Sequence, residues 1–251
     1  MLISYNTDER GKFRLKSYYI HLIRNGETVG EEKKQYIGST DVELSTNGIE
    51  KLKSLKEKFD YLDPCLVFSS PLKRCVQTVQ SVLPDKKIVT IPELREYEFG
   101  EFEGKTPEEL INDPRYSDFI KHGTAAPGGE SQEDFSHRVC AAFGRIVRDI
   151  MKSGATQTAI CTHGGVIMLL LAVYGLPRLN MLEWQCAPGE GYTIRITPAV
   201  WMRSGMVEVT NLYPVELPGS TEEEYDDENF PSNIWADIEE TDEQTDQDKD
   251  E

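Results

Sequence analysis

The sequence predicts an α/β protein of three layers, with a mostly parallel central sheet flanked by helices. Three observations lead to this prediction. Short apolar runs rich in β-forming residues alternate with segments of helical periodicity, polar turn signals separate them, and two of the apolar runs end in reactive side chains. The chain has 251 residues and 38% hydrophobic content, which suffices for one substantial core.

Six strands are predicted from the apolar runs. Four of them span residues 18–23, 66–69, 87–91 and 158–162, and the first two are typical of buried strands. Residues 192–196 and 206–212 are predicted to close the sheet as a pair. Helices are predicted in the intervening segments, over residues 45–59, after residue 70, from residue 106, over 131–152 and over 163–175.

The helix starts and stops carry recognisable capping residues. Ser45 precedes the first helix, and Ser70 is predicted to cap a helix whose first residue is Pro71. Thr106 begins a capping box, and Gly154 is predicted to end the longest helix. These signals support the alternation of strands and helices that defines the fold class.

The charge is concentrated at the carboxyl-terminal end of the chain. Of the formal net charge of -17, residues 222–251 contribute 15 acidic groups and one lysine, which leaves 29 acidic and 26 basic groups elsewhere. We therefore expect three parts: a polar, mobile amino-terminal arm over residues 1–16, one folded domain over 17–221 and an acidic, disordered tail over 222–251. Phe230, Ile234 and Trp235 interrupt the tail and make it a candidate docking segment for a protein partner.

Composition argues against several classes of protein. The sequence has no Lys/Arg-rich stripe of the kind that binds nucleic acid. Its five cysteines are widely spaced and include no CxxC, which fits neither a disulfide framework nor a zinc site. No apolar run approaches the roughly 20 residues that cross a bilayer, and residues 1–16 are too polar for a signal peptide. We therefore expect a cytoplasmic protein that binds neither nucleic acid nor membranes.

Four reactive side chains are predicted to converge at one edge of the sheet. Arg24 ends the first predicted strand and His163 follows the fourth, while Arg74 lies early in the helix after the second and Glu96 shortly follows the third. In parallel sheets, ligands bind beyond the carboxyl ends of the strands. Two guanidinium groups suit the oxygens of a phosphate monoester, and a carboxyl group can protonate the departing alcohol.

The motifs around these residues resemble those of the histidine phosphatase superfamily, in its phosphoglycerate-mutase-like branch. The signature R-H-G-E-T of that family is matched at every position but one by "RNGET" at residues 24–28. The resemblance spans roughly residues 17–213. Further matches are "YIGSTDVELSTNG" (36–48), "SSPLKRCVQT" (69–78), "LREYEFGEFEG" (94–104), "PGGES" (127–131) and "THGGV" (162–166).

The resemblance implies a role for each site residue. Arg24 and Arg74 would hold the phosphoryl oxygens with His163 as the second histidine, and Glu96 would be the general acid. Asn25 stands where the family has its nucleophilic histidine. The resemblance also implies substrate contacts from Gly26, Thr28 and Gly164, and His122, predicted to lie in a loop, is a candidate for a further contact. It implies a small phosphorylated metabolite as ligand, and neither a metal nor another cofactor.

Asn25 predicts that covalent catalysis fails, because the lone pair of an amide nitrogen is delocalised and cannot accept a phosphoryl group as imidazole does. His21 lies four residues earlier, about 13 Å along a strand, and cannot replace the nucleophile. By ungapped counting, Glu31 and Ile37 stand where the family commonly has Asn and Gln. A carboxylate at position 31 would repel a phosphate unless the loop turns it outward.

Three functional interpretations remain open. The first is a metal-independent phosphomonoesterase, similar to α-ribazole phosphatases of cobalamin biosynthesis or to broad-specificity phosphatases, with its nucleophile replaced as in an engineered ligand trap. The second is a natural pseudophosphatase that binds phosphorylated ligands or a protein. The third is a phosphoglycerate mutase, which is less well supported because the segment between Glu96 and Pro127 has no basic insertion.

Overall fold

We describe the fold from a computed structural model, which defines the backbone of residues 5–7 and 13–217. The predicted acidic tail, residues 222–251, lies outside these residues. The strands within them are β1 (Tyr5–Thr7), β2 (Phe13–Leu15), β3 (Tyr18–Arg24), β4 (Phe59–Asp60), β5 (Leu66–Ser69), β6 (Ile88–Thr90), β7 (Gln157–Thr162), β8 (Gly175–Leu176), β9 (Gly191–Ile196), β10 (Val207–Tyr213) and β11 (Val215–Glu216).

Eight helices are found in the same part of the chain. They are α1 (Val29–Glu32), α2 (Thr46–Lys58), α3 (Lys73–Val82), α4 (Pro107–Leu110), α5 (Pro114–His122), α6 (Gln132–Ser153), α7 (Gly164–Tyr174) and α8 (Pro198–Ser204). None of these helices combines the length and the apolar composition that a membrane span requires.

The central sheet has seven strands in the order β6-β5-β7-β3-β9-β10-β8. Neighbouring strands pair in parallel except that β9 pairs antiparallel with both β3 and β10. Strand β9 is therefore the one member of this sheet that runs against the others. The predicted fold class, a mostly parallel sheet flanked by helices, is confirmed.

The two faces of the sheet pack against different helices, which gives the three layers. On one face, Ile20 and Leu22 of β3 join a core cluster with side chains of α6 and α7, such as Phe143 and Ile167. On the other face, Ile23 belongs to a second cluster, which α2 and α3 complete. Successive strand residues point to opposite faces, so the apolar residues of β3 supply both cores.

Most predicted capping residues act as expected. The hydroxyl of Ser45 accepts a hydrogen bond from the backbone N–H of Gly48 at the start of α2. Thr106 forms its capping box with Glu109, and Gly154 ends α6 in the left-handed conformation that glycine adopts without strain.

One predicted helix start is wrong. Helix α3 begins at Lys73, and its N-cap residue is Leu72, whose side chain makes no capping bond. The backbone N–H of Ser70 bonds the carbonyl of Cys161 at 2.9 Å, which continues the pairing of β5 with β7, and its hydroxyl contacts His163 at 2.8 Å. The chain therefore turns into the helix two residues later than predicted.

Several elements were not predicted. Strands β1 and β2 pair antiparallel in the segment expected to be a mobile arm, where three-residue strands are too short to show a periodicity. Helix α5 occupies a segment for which no helix was predicted and ends at His122, so the predicted loop position of that histidine is wrong. Tyr116 of α5 packs with Phe102 and Leu110 in a third, smaller core cluster.

Candidate active site

The ends of β3 and β7 bring the predicted site residues together. The two strands are parallel neighbours, and Arg24 pairs with Thr162 in their register. The backbone N–H of Asn25 donates to the carbonyl of Thr162 at 2.8 Å, and His163 follows as the N-cap of α7. Parallel pairing therefore places residues 24, 25 and 163 side by side, as the topology predicted.

Arg74 is a buried cation held by backbone oxygens. Its residue is 2% exposed, and its guanidinium donates to the carbonyls of Gly38 at 2.6 Å and Thr40 at 2.8 Å. These bonds fix the plane of the guanidinium and offset part of the free-energy cost of removing it from water. The guanidinium has further N–H groups that can bind an anion. Gly38 is required here, because a Cβ atom at that position would lie 1.8 Å from the carbonyl oxygen of Tyr97.

Arg24 is paired with Glu31, which the sequence did not indicate. Arg24 donates from Nη2 to Glu31 Oε1 at 2.6 Å and from Nη1 to the carbonyl of Cys186 at 2.6 Å. The other oxygen of Glu31 accepts the backbone N–H of Thr28 at 2.9 Å, in the capping box of α1. We expected a carboxylate at position 31 to repel a phosphate unless the loop turned it outward. In the structure, the Glu31 carboxylate is not turned outward.

Asn25 and His163 are in direct contact. The Asn25 amide donates from Nδ2 to the carbonyl of Gly26 at 2.8 Å, which directs its Oδ1 atom to His163 Nδ1 at 3.0 Å. The same Nδ1 atom is contacted by Arg74, whose Nε–H donates to it at 3.2 Å. An amide oxygen can only accept and a guanidinium N–H can only donate, so these two contacts require opposite tautomers of the ring. The Nε2 atom of His163 lies 2.8 Å from the hydroxyl oxygen of Ser70, which can donate or accept.

The surroundings of His163 favour the neutral ring. The residue is 1% exposed, and burial lowers the pKa of its imidazole well below the usual range, with further lowering by the charges of Arg74, Arg138 and Arg24. Both ring nitrogens of His163 have polar partners, and its Nδ1 atom faces Asn25.

Glu96, the candidate general acid, lines the same cavity as Arg24 and Arg74. Its carboxylate oxygens accept the backbone N–H groups of Tyr97 and Gly165, each at 2.9 Å. Burial raises the pKa of the Glu96 carboxyl, although these two hydrogen bonds and the charges of Arg74 and Arg24 oppose the rise. A raised pKa lets a carboxylic acid carry a proton closer to neutral pH. Gly165 makes room for this arrangement, since a Cβ atom there would lie 2.5 Å from Glu96 Oε1.

Arg138 of α6 fixes the loop that carries Glu96. Its guanidinium donates to the carbonyls of Glu93, Arg95 and Glu96 at 2.8, 2.7 and 2.8 Å, and its Nε atom donates to Glu130 at 2.8 Å. Sequence reasoning missed Arg138 and also Ser70. Neither could be found from local patterns, because the groups that they bond at the site lie far away in the chain.

These groups surround a cavity of about 230 Å³. Its lining includes the predicted reactive residues, Arg24, Asn25, Arg74, Glu96 and His163, together with Thr28 and Gly164. Other lining residues are Glu31, Tyr36, Ile37, Phe99, Met168 and Gln185.

Two predicted contacts are not among the described lining residues. Gly26 packs against Leu52 and donates its backbone N–H to Thr78 at 2.8 Å, and His122 is exposed at the end of α5. Within residues 13–217, no three His, Cys, Asp or Glu side chains are grouped as metal ligands.

His21 has a structural environment. It is 1% exposed, its ring stacks on Tyr213 with centroids 4.7 Å apart, and its nitrogens bond Thr193 at 3.0 Å and Gln157 at 2.7 Å. Burial lowers the pKa of this imidazole, although the bond to Gln157 opposes the shift.

We expect acid to destabilise the fold through the two buried histidines. A histidine whose pKa is lowered in the folded state stabilises it above the unfolded pKa of about 6.5, and this stability is lost as the pH falls toward the folded pKa. Each histidine can change the free energy of unfolding by up to about 1.4 kcal/mol per pH unit. Urea unfolding between pH 7.5 and 5 should therefore show a shallower pH dependence for His163→Gln than for the unmodified protein.

His122→Gln is the matched control for this experiment, because His122 is exposed. Its pH dependence should equal that of the unmodified protein. If the free energy of unfolding of His163→Gln depended on pH as steeply as that of the unmodified protein, His163 would not resist protonation in the folded state.

Comparison with known proteins agrees with the motifs and the geometry. The sequence profile of the Histidine phosphatase superfamily (branch 1) matches residues 20–206, which is more than half of the chain. The chain belongs to this superfamily. Its members among the similar proteins are phosphatases and phosphoglycerate mutases.

Three relatives of this histidine phosphatase domain illustrate the likeness. A broad-specificity phosphatase of Saccharomyces cerevisiae is 29% identical over 161 residues, covering 61% of this chain and 68% of that protein. The crystal structure of an alpha-ribazole phosphatase from Shigella flexneri matches with a TM-score of 0.65 and 27% identity, over 77% of this chain and 95% of that one. A phosphoglycerate mutase from Thermus thermophilus matches with a TM-score of 0.55 and 28% identity, over 77% of this chain and 97% of that one.

Proposed function

We propose that this histidine phosphatase domain binds phosphate monoesters in the cavity around Arg24 and Arg74 but hydrolyses them very slowly. The observation that carries the proposal is the placement of Asn25. Its amide contacts His163 and lines the same cavity as the two arginines and Glu96, at the position where the family resemblance places the nucleophilic histidine. The other site residues that the resemblance implies are present, so the protein could bind a phosphate monoester without hydrolysing it.

Binding is supported by the donors that face the cavity. Arg24 and Arg74 supply guanidinium N–H groups, and His163 and Gly164 begin α7, whose amino-terminal end attracts anions. Asn25 can rotate its amide and donate to a phosphoryl oxygen. These are the interactions that hold a phosphoryl group without any covalent step.

Slow turnover follows from the chemistry of the amide. In the implied mechanism, a histidine nitrogen attacks phosphorus, the bond to the alcohol oxygen breaks, and Glu96 gives its proton to that oxygen. Water activated by the Glu96 carboxylate then hydrolyses the phosphohistidine. Asn25 cannot form the first bond, since its nitrogen has no available lone pair. The two ring nitrogens of His163 are already engaged, Nδ1 by Asn25 and Arg74 and Nε2 by Ser70.

A second candidate is the hydrolysis of α-ribazole 5′-phosphate once a nucleophile is present at position 25. The structural match to the alpha-ribazole phosphatase of Shigella flexneri supports this substrate. The same scaffold in natural form would be a pseudophosphatase, and with a deliberate substitution a ligand trap. Both share the binding site proposed here.

Arg74→Gln is expected to weaken the binding of inorganic phosphate at least about 100-fold. The variant loses two charge-assisted hydrogen bonds to the anion, each of about 1.5–3 kcal/mol. Isothermal titration calorimetry at low salt measures the effect. Arg24→Gln should also weaken binding, and because Arg24 is partly exposed it guards against a folding defect in Arg74→Gln.

Arg148→Gln is the matched control, because it removes one exposed arginine from α6 outside the cavity. Its affinity for phosphate should equal that of the unmodified protein. If all three variants lost the same affinity for phosphate, the binding of the anion would depend only on the net charge of the protein, and the proposed site would be wrong.

A further inference from the structure

Glu31 places a carboxylate inside the cavity that is proposed to hold a phosphoryl group. Its side chain is 26% exposed, and its Oε1 atom lies 2.6 Å from Arg24 Nη2. The residue lines the same cavity as Arg74, His163 and Glu96. This ion pair neutralises one of the two cations that a phosphate dianion would use.

A bound phosphoryl group would compete with Glu31 for Arg24. Arg24 and Arg74 are the cationic side chains among the described residues that line the cavity, and Arg74 already bonds two backbone carbonyls. When phosphoryl oxygens take the Nη2 atom of Arg24, the carboxylate of Glu31 is left beside a second anion. Two like charges at this range repel each other in a partly buried site. A ligand that carries its own cationic group would balance the negative charge of Glu31.

The cavity that Glu31 lines also contains aromatic side chains of the kind that recognise an ammonium group. Tyr36 and Phe99 line the cavity, with ring centroids 5.0 Å apart. Aromatic faces attract ammonium groups, most strongly where water is excluded, and a carboxylate supplies the counter-charge. The phenol of Tyr36 is bonded to Tyr116 at 2.8 Å, and burial raises the pKa of Tyr36, so the phenol adds no second negative charge.

We propose that Glu31 determines specificity and that this site takes phosphate monoesters of amino alcohols, whose ammonium group replaces Arg24 as the partner of Glu31. The inference rests on the proposed function, that Arg24 and Arg74 hold the phosphoryl group. The cavity of about 230 Å³ suits such a compact ester, because pockets for drug-sized ligands span about 300–1,000 Å³.

The test compares two esters of nearly the same shape. Phosphocholine carries a quaternary ammonium, and 3,3-dimethylbutyl phosphate replaces its nitrogen by carbon. By isothermal titration calorimetry, the unmodified protein should bind phosphocholine about tenfold more tightly. Glu31→Gln should lose this preference and should bind inorganic phosphate more tightly than the unmodified protein does. Glutamine retains the acceptor of the capping box with Thr28, so α1 is preserved.

Glu43→Gln is the matched control, since it removes one carboxylate that is paired with Lys73 on the surface. It should keep the preference for phosphocholine. Equal affinities for both esters in the unmodified protein, or a preference that persists in Glu31→Gln, would overturn the inference. If inorganic phosphate binds and neither ester does, the inference again fails and the phosphate site stands. If inorganic phosphate does not bind either, the proposed function itself is wrong.

Discussion

Asn25→His is expected to turn the protein into a phosphomonoesterase with turnover about 10⁶-fold above that of the unmodified chain. The scale comes from a serine protease, in which removal of the nucleophile lowers kcat by about 10⁶-fold. The substitution supplies the one missing atom, an imidazole nitrogen with a free lone pair. Its partners are already placed, since His163, Arg24, Arg74 and Glu96 line the same cavity. Steady-state hydrolysis of p-nitrophenyl phosphate without added metal measures the gain.

Asn25→Gln is the matched control, because it changes the same buried position and retains an amide. It should remain as inactive as the unmodified chain. Mass spectrometry of acid-sensitive phosphopeptides should find a phosphohistidine at residue 25 in the histidine variant. A folded Asn25→His protein that binds phosphate and shows no turnover would contradict the assignment of position 25 as the nucleophile's place.

Glu96→Gln, introduced together with Asn25→His, is expected to lower the turnover of alkyl phosphates by about 10²–10⁴-fold. Burial raises the pKa of the Glu96 carboxyl, so the acid form can give its proton to a departing alkoxide. Glutamine has no acidic proton, while its oxygen can still accept the N–H of Gly165. The loss should be much smaller for p-nitrophenyl phosphate, whose phenolate leaves readily without a proton.

The dependence on the leaving group separates acid catalysis from a structural defect. Glu98→Gln, in the same loop and exposed, should leave both rates unchanged. If Glu96→Gln slowed the two esters equally, Glu96 would be acting on binding or on the loop, and the assignment as general acid would be wrong.

Much of the fold could be predicted because its signals are local. The apolar runs of β3, β5 and β7 are visible as short segments of the sequence, and the capping residues Ser45 and Thr106 bond groups three residues further along the chain. The convergence of residues 24, 74, 96 and 163 also followed, since parallel strands bring their carboxyl ends to one edge. Motif spacing then indicated the family, which the matched profile shows.

The parts that could not be predicted depend on contacts between distant segments. Ser70 has the pattern of a helix cap, but its hydroxyl bonds His163 across the sheet. Arg138 resembles any polar residue on the solvent face of α6 and instead holds the loop of Glu96 through three carbonyls. Glu31 lies seven residues from Arg24, and only the turn between β3 and α1 shows that they pair.

The most direct test of the central claim, binding without turnover, is a phosphorus-31 NMR titration of a small phosphate monoester with the unmodified protein. One spectrum reports both properties, because the bound ester and released inorganic phosphate resonate separately. We expect the ester resonance to shift and broaden with protein concentration, with no inorganic phosphate after many hours. Growth of the inorganic phosphate resonance, or an ester resonance that the protein leaves unchanged, would contradict the account.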